Sequence, residues 1–228
     1  MGKKHLSFSG QKWEIVIGLV VLSSVYTVTI FARDLFDVTS ESFRGHIYYP
    51  WIIAIPQLGL IVFLISQSGS RRLINFLRIN NSINYKSVVI VLMTVAVNLG
   101  FAAFYSMLML SAEFDLLMPP EIPKMILGTG WFVIVNLIAV GIFVPIVEEV
   151  FFRGFLMVSL ARYFGVCKSL FLTSILFACL HAHIGLLVPI LFSSITVSLI
   201  FLYFKSLWMA ISVHSFQNVL VSIVAASS

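Results

Sequence analysis

The segment PIVEEVFFRGFL, Pro145–Leu156, places two adjacent glutamates and an arginine inside an apolar run. Charged side chains are costly at bilayer depth and are rare there unless they pair or perform a function. Because neighbouring residues on a helix point about 100° apart, Glu148 and Glu149 cannot share one role. Glu149 precedes Arg153 by four residues, which is the favourable order for an ion pair. The spacing predicts a structural Glu149–Arg153 pair and leaves Glu148 for chemistry.

Pro145 lacks a backbone N–H, and its position predicts a bend of the helix just before the glutamate pair.

Two other apolar segments carry polar side chains. LFACLHAH places His181 one turn after Phe177, whose ring is expected to pack on the imidazole. AISVHSFQN places His214 and Asn218 one turn apart on one helix face. Measured from their cytoplasmic ends at ~1.5 Å per residue, the glutamate, the first histidine and the His–Asn pair lie about 21, 18 and 10–17 Å deep. The similar depths predict that these side chains meet in one cavity.

The chemistry available to such a cavity is hydrolysis. A carboxylate beside an imidazole can take a proton from water and orient the water for attack on a carbonyl. A second imidazole and an amide can stabilise the resulting oxyanion. No hydroxyl or thiol is obviously paired with a base, so a covalent nucleophile is not favoured. Glu148, His181 and His214 could alternatively hold a zinc ion. No metal or other cofactor is favoured, because His-x-x-x-Asn is not a strong metal signature.

The rest of the chain has the composition of a polytopic membrane protein. Of its 228 residues, 60% are hydrophobic and 10% are charged, whereas soluble domains carry about 25% charged residues. We predict an all-α transmembrane bundle of about seven helices, and an eighth span or a re-entrant piece is compatible with the pattern. The fifth span is short, and the fourth continues past the glutamates as one long helix. The predicted spans are Ile15–Ala32, Tyr48–Ser66, Ser87–Ser111, Thr129–Val147, Ser169–His183, Leu186–Phe204 and Leu207–Ala226.

The distribution of basic residues predicts the orientation. With the N-terminus cytoplasmic, all Lys and Arg residues except Arg33, Arg44 and Lys124 fall on the cytoplasmic side, as the positive-inside rule requires. The net charge of +5 is then explained by topology and by anionic membrane lipid, and no nucleic-acid partner is expected. We expect an integral multi-pass protein, in the plasma membrane if the source is bacterial, with its active site toward the cytoplasm.

The chain is expected to form one membrane domain over residues 1–228. Residues 1–128 would form N-terminal helices of variable type, and residues 129–228 the catalytic core. Asn98 and Asn136 are expected to hydrogen-bond between helices rather than to catalyse. His183 is expected at the outer end of the fifth span, with an incidental role. The two cysteines, Cys167 and Cys179, are expected to be small buried side chains outside any disulfide framework.

Three motifs occur in order and about 30 residues apart. EEVFFR at Glu148–Arg153, FACLH at Phe177–His181 and HSFQN at His214–Asn218 match the pattern EExxxR, FxxxH and HxxxN. This pattern resembles that of the CPBP intramembrane proteases, the group that contains the type II CAAX prenyl endopeptidases and the bacteriocin-processing or immunity proteins called Abi proteins. The resemblance covers the chain from about Thr129 onward, and the first three spans match only in hydropathy.

The resemblance implies a role for each motif residue. Glu148 would be the general base, and His181 would share or orient the attacking water. His214 and Asn218 would form the oxyanion site. The supporting residues would be Glu149, Arg153 and Phe177.

The resemblance also implies an intramembrane endopeptidase that hydrolyses a membrane-associated, prenylated or secreted peptide. The three motifs are complete, which favours an active enzyme. One alternative is a non-catalytic membrane immunity or regulatory partner from the same family. Another is a proton- or ion-coupled carrier, since intramembrane Glu, His and Arg also mark such pathways. The lack of obvious inverted repeats counts against the carrier.

Overall fold

The computed structural model describes residues 84–121, 128 and 130–227, together with Ile55, Leu58 and Gly59. This part of the chain is helical and contains no strand, which confirms the all-α prediction. A short 3₁₀ turn, Asp115–Leu117, follows the first helix. The helices are α1 Tyr85–Ser111, α2 Phe132–Phe164, α3 Val166–Cys179, α4 Ile184–Phe204 and α5 Leu207–Ser227.

The length and composition of these helices fit a membrane protein. Within the described residues, α1, α2, α4 and α5 are each long and apolar enough to cross a membrane. The 14 residues of α3 rise only about 21 Å, less than the ~30 Å hydrocarbon core of a bilayer. The predicted spans Ile15–Ala32 and Tyr48–Ser66 lie outside the described residues, apart from three positions in the second. The count of seven and the cytoplasmic N-terminus therefore stay predictions.

The predicted fifth span, Ser169–His183, is wrong at both ends. Its helix, α3, starts three residues earlier, directly after Gly165, whose φ of +78° separates it from α2. It ends at Cys179, and the chain turns through Ala182 at a φ of +52°. His183 lies at the start of the next helix and not at the end of α3: its side chain caps α4 by accepting from a backbone N–H of the first turn. Hydropathy did not locate the end of α3, because the turn between α3 and α4 contains apolar residues.

The prediction that the two cysteines are buried is wrong. Cys167 and Cys179 are both free and exposed on α3. The inward stripe of this helix is formed instead by residues at helical spacing, several of them small and polar. These buried residues are Ser169, Leu170, Thr173, Ser174, Phe177 and Ala178. The cysteines lie outside that stripe.

The long helix α2 continues past the glutamates, as predicted. Two π-helical stretches, Ala139–Phe143 and Val150–Met157, interrupt it on either side of the glutamate pair. In the first of them, the Val144 N–H bonds to the carbonyl five residues earlier. The next donor in that pattern would belong to Pro145, which has no N–H. The proline therefore leaves a carbonyl of this wide turn without its helical donor. Such π-turns are frequent at functional sites.

The helices α2 and α5 approach each other closely beside this turn. A Cβ atom added at Gly141 would lie 2.5 Å from Cγ2 of Val219 on α5. A β-branched side chain in a helix has one preferred rotamer and yields little. The missing side chain at Gly141 therefore allows the contact between these two helices. α5 also packs against α1 and α4, and α3 packs against α2 and α4.

We predict that Gly141→Ala separates α2 from α5 and lowers stability by about 1–3 kcal/mol, the usual effect of overpacking. Thermal unfolding of the detergent-solubilised protein measures this effect. Gly100→Ala on α1 is the matched control, because no atom of the described residues lies within 4 Å of its added Cβ and alanine favours a helix by roughly 0.5–1 kcal/mol over glycine. Equal melting temperatures for Gly141→Ala and wild type would contradict the prediction.

Candidate active site

A buried ion pair lies at the centre of the candidate site. Nη1 of Arg153 donates to Oε1 of Glu149 at 2.7 Å, within α2. The two side chains are 2% and 0% exposed. The structure thereby confirms the pair predicted from the four-residue spacing. An isolated charge at this depth would be strongly destabilising, so each of the two residues depends on the other.

The remaining donors of Arg153 bind α4. Nε donates to Oγ of Ser198 at 3.3 Å, and Nη2 donates to the carbonyl and Oγ of Ser194 at 3.0 and 2.8 Å. The ring of Phe177 lies 5.0 Å from the guanidinium carbon, in cation–π range. The two serines were not predicted from the sequence. The sequence does contain a pattern that could have indicated them, since FSSITVS places hydroxyl groups four residues apart inside an otherwise apolar span.

The same glutamate oxygen fixes the orientation of His214. Nδ1 of this histidine lies 2.8 Å from Oε1 of Glu149. Because this oxygen also accepts from Arg153, it is the acceptor here as well, and Nδ1–H donates. Nε2 then faces Oε2 of Glu148 at 3.7 Å, which is too long for a direct hydrogen bond. The two glutamates therefore contact opposite sides of one imidazole.

His181 lies in the turn after α3 rather than inside the helix. Its Nδ1 is 2.8 Å from the Phe177 carbonyl. A carbonyl can only accept, so Nδ1 carries the hydrogen and the lone pair of a neutral ring lies on Nε2. The Phe177 ring packs on this imidazole with centroids 4.9 Å apart, as predicted, and meets the His214 ring edge-on at 5.8 Å. Glu148 interacts electrostatically with both histidines.

Asn218 lies one turn after His214 on α5, and its amide has a structural partner. Nδ2 donates to the carbonyl of Val140 at 3.1 Å. This is the carbonyl whose helical donor in the π-turn would come from Pro145. The asparagine therefore supplies the hydrogen bond that the proline cannot. One of its two N–H groups is used in this way, and the other N–H and the carbonyl oxygen remain for further contacts.

Exposure differs among the predicted site residues. His214, His181 and Asn218 are partly accessible. Glu148 is buried, with 10% of its side chain exposed, and Glu149, Arg153 and Phe177 are buried as well. Three of the four residues predicted to be catalytic are therefore reachable in part, whereas Glu148 shares the burial of the residues predicted to be supporting.

The described residues do not form a metal site in this arrangement. No group of three or more His, Cys, Asp or Glu side chains among them is placed to hold a metal ion. The alternative ligand set of Glu148, His181 and His214 stays a prediction.

Residues 130–220 match the family model described as type II CAAX prenyl endopeptidase Rce1-like. The matched segment contains all three motifs and all of the residues predicted to be catalytic or supporting. The match supports the assignment of the chain to the CPBP intramembrane protease family. Together with the four apolar helices, it supports an integral membrane protein of a protease family. No curated protein and no solved structure matches the chain.

We predict that Arg153→Met lowers stability by about 3–5 kcal/mol, because it leaves Glu149 buried without its counter-charge. Unfolding of the solubilised protein in denaturant measures the loss. Arg153→Lys retains the charge but lacks the planar set of donors that binds Glu149, Ser194 and Ser198 together, so we expect an intermediate loss. A full recovery of stability by lysine would show that charge alone is required.

We predict that Asn218 and Pro145 are energetically coupled. Asn218→Ala leaves the Val140 carbonyl without a donor, which costs about 1–3 kcal/mol for a buried group. Pro145→Ala restores a backbone N–H in α2, so the same asparagine change should cost less in that background. The melting temperatures of the two single variants and the double variant measure the coupling. Strictly additive effects would contradict the assigned role of the Asn218–Val140 hydrogen bond.

Proposed function

We propose that this protein is an intramembrane endopeptidase in which Glu148 and His181 activate water. The observation that carries the proposal is the position of the Glu148 carboxylate. It lies 3.7 Å from Nε2 of His214, and it is not used by the neighbouring ion pair. A glutamate with a purely structural role would be expected to take part in that pair, as Glu149 does.

In the proposed reaction Glu148 is the general base. A water molecule bound between Glu148 and Nε2 of His181 attacks the carbonyl carbon of the peptide bond, and Glu148 takes its proton. The lone pair on Nε2 follows from the Nδ1–H bond of His181 to Phe177, so the imidazole can accept from the second water hydrogen. When the tetrahedral intermediate collapses, the C–N bond breaks and Glu148 returns the proton to the leaving nitrogen. The products are a carboxylic acid and an amine.

The oxyanion of the intermediate would be stabilised by His214 and Asn218. Since Nδ1–H of His214 is directed at Glu149, the imidazole can donate from Nε2 only as an imidazolium. Glu148, Glu149, Arg153 and a protonated His214 together carry no net charge. The second N–H of Asn218 would be the other donor.

The proposed substrate is a membrane-associated or lipid-modified peptide, with cleavage near the cytoplasmic face of the membrane. The family match supports the peptidase class, and the four apolar helices support an integral membrane protein. A prenylated peptide and a secreted peptide precursor are both of this class. If the source is bacterial, the proposed location is the plasma membrane.

We predict that Glu148→Gln lowers kcat by about 10²–10⁴-fold, the usual contribution of a general base. The substitution keeps the size of the side chain and therefore the fold. Comparative peptidomics of membranes that express wild type or Glu148→Gln measures the effect on natural substrates, and a farnesylated CAAX peptide serves as a defined probe. Glu113→Gln, at an exposed position after α1, is the matched control and should retain full activity.

The same assay separates the alternatives. Identical peptide profiles for wild type and Glu148→Gln, together with an unchanged cellular phenotype, would contradict the peptidase and favour the non-catalytic partner. Cleavage in the presence of a zinc chelator is the expected result for the metal-free mechanism. Loss of cleavage with the chelator, restored by added zinc, would overturn that mechanism.

A further inference from the structure

A second polar cluster joins α1, α4 and α5 away from the ion pair. The Asn98 amide on α1 donates to Oγ of Ser193 at 3.3 Å and to Oε1 of Gln217 at 3.1 Å. Its carbonyl oxygen accepts from Oγ1 of Thr196 at 2.8 Å. Ser193 also donates to Gln217 at 3.0 Å. Asn98 is only 2% exposed, and the structure confirms that it hydrogen-bonds between helices. We refer to these four residues as the Asn98 cluster.

The Asn98 cluster fixes the position of α5 along and around its axis. Both N–H groups of Asn98 and its oxygen are used by the two neighbouring helices, so the geometry is well defined. A shift of α5 by one residue would move Gln217 by about 1.5 Å and rotate it by roughly 100°, which would break both bonds to its oxygen. A single buried asparagine can set helix register in this way in coiled coils.

The residues that depend on this register are His214 and Asn218. Gln217 lies next to Asn218 and three residues after His214 on the same helix. The bonds of His214 to Glu149 and of Asn218 to Val140 hold one side of α5 against α2. The Asn98 cluster holds another side against α1 and α4. Because both sides of α5 are fixed, the helix can take only one position relative to Glu148.

The geometry points to Asn98 as a positioning residue for the reaction proposed above, on which this inference rests. It acts through Gln217 on the placement of His214 and Asn218, and it touches none of the reacting atoms. Asn98 lies on α1, which is outside the residues 130–220 of the family match. An N-terminal helix therefore contributes to the site by a specific contact and not merely by packing.

The test compares substitutions that remove one partner of the Asn98 cluster. Asn98→Leu removes the amide but leaves the Ser193–Gln217 bond and the bond from Thr196 to the Ser193 carbonyl in place. Thr196→Val removes a single donor with little change of shape, and Thr196→Ser keeps that donor. Ser106→Ala is the matched control on α1, because among the described residues this hydroxyl bonds only to the Ala102 carbonyl of its own helix.

The first readout is kinetic, with the farnesylated CAAX peptide and the full chain in nanodiscs. We expect Asn98→Leu and Thr196→Val to lower kcat by about threefold to tenfold with KM unchanged, which corresponds to the loss of interhelical hydrogen bonds. The pH profile of kcat should also be displaced. Thr196→Ser and Ser106→Ala should match wild type. The pH profile depends on the charged and titratable groups around His214. Among the described residues these are Glu148, Glu149 and Arg153 from α2 and His181 after α3, whereas α1 and α4 contribute amides and hydroxyls.

The second readout does not require activity. In protein with ¹⁵N-labelled histidine, the His214 resonances are assigned by comparison with His214→Gln. They should move in Asn98→Leu and Thr196→Val and stay in place in the two controls. Unchanged resonances and kcat in both test variants, or an equal effect of Ser106→Ala, would overturn the inference. If Asn98→Leu does not fold, the kcat and the His214 resonances of Thr196→Val decide whether the inference holds. If wild type does not cleave the peptide, the proposed function fails for that substrate and the resonances alone decide the positioning role.

Discussion

The ion pair of Glu149 and Arg153 is the interaction on which the described structure depends. Transfer of two charges into an apolar interior costs several kcal/mol for each ion even after relaxation. The cost is offset only if nearly every donor is used, and Arg153 uses Nε, Nη1 and Nη2 on partners from α2 and α4. Glu149 extends the network to α5 through His214. Three helices are thereby required to meet at one point.

The backbone of α2 provides the second constraint. Its wide turn at Ala139–Phe143 comes directly before Pro145 and leaves the Val140 carbonyl for Asn218. Next to it, Gly141 allows α5 to approach. Both contacts bring α5 close to the turn of α2 that carries the glutamates. The irregular backbone thus has a definite effect: it places the His214 and Asn218 face of α5 beside Glu148 and Glu149.

The parts of the site that the sequence predicted are those set by spacing within one helix. The ion pair follows from a four-residue separation, and so does the packing of Phe177 on His181. The contacts that it did not predict join different helices, such as Arg153 with Ser194 and Ser198. A hydroxyl in an apolar span can bond to its own helix, as Thr94 does, so its partner cannot be read from local pattern. The end of α3 was missed for a related reason, because apolar residues continue through the turn.

The hydrogen bonds also explain how adjacent glutamates come to differ. Glu149 is enclosed and its Oε1 binds Arg153 and His214, so its charge serves to fix an arginine and the tautomer of an imidazole. Glu148, one residue earlier and about 100° around the helix, meets the opposite nitrogen of that imidazole without a direct bond. The Glu148 carboxylate is outside the ion pair, so the Glu149–Arg153 contact does not depend on it. Adjacent residues of one helix can in this way have different partners inside an apolar bundle.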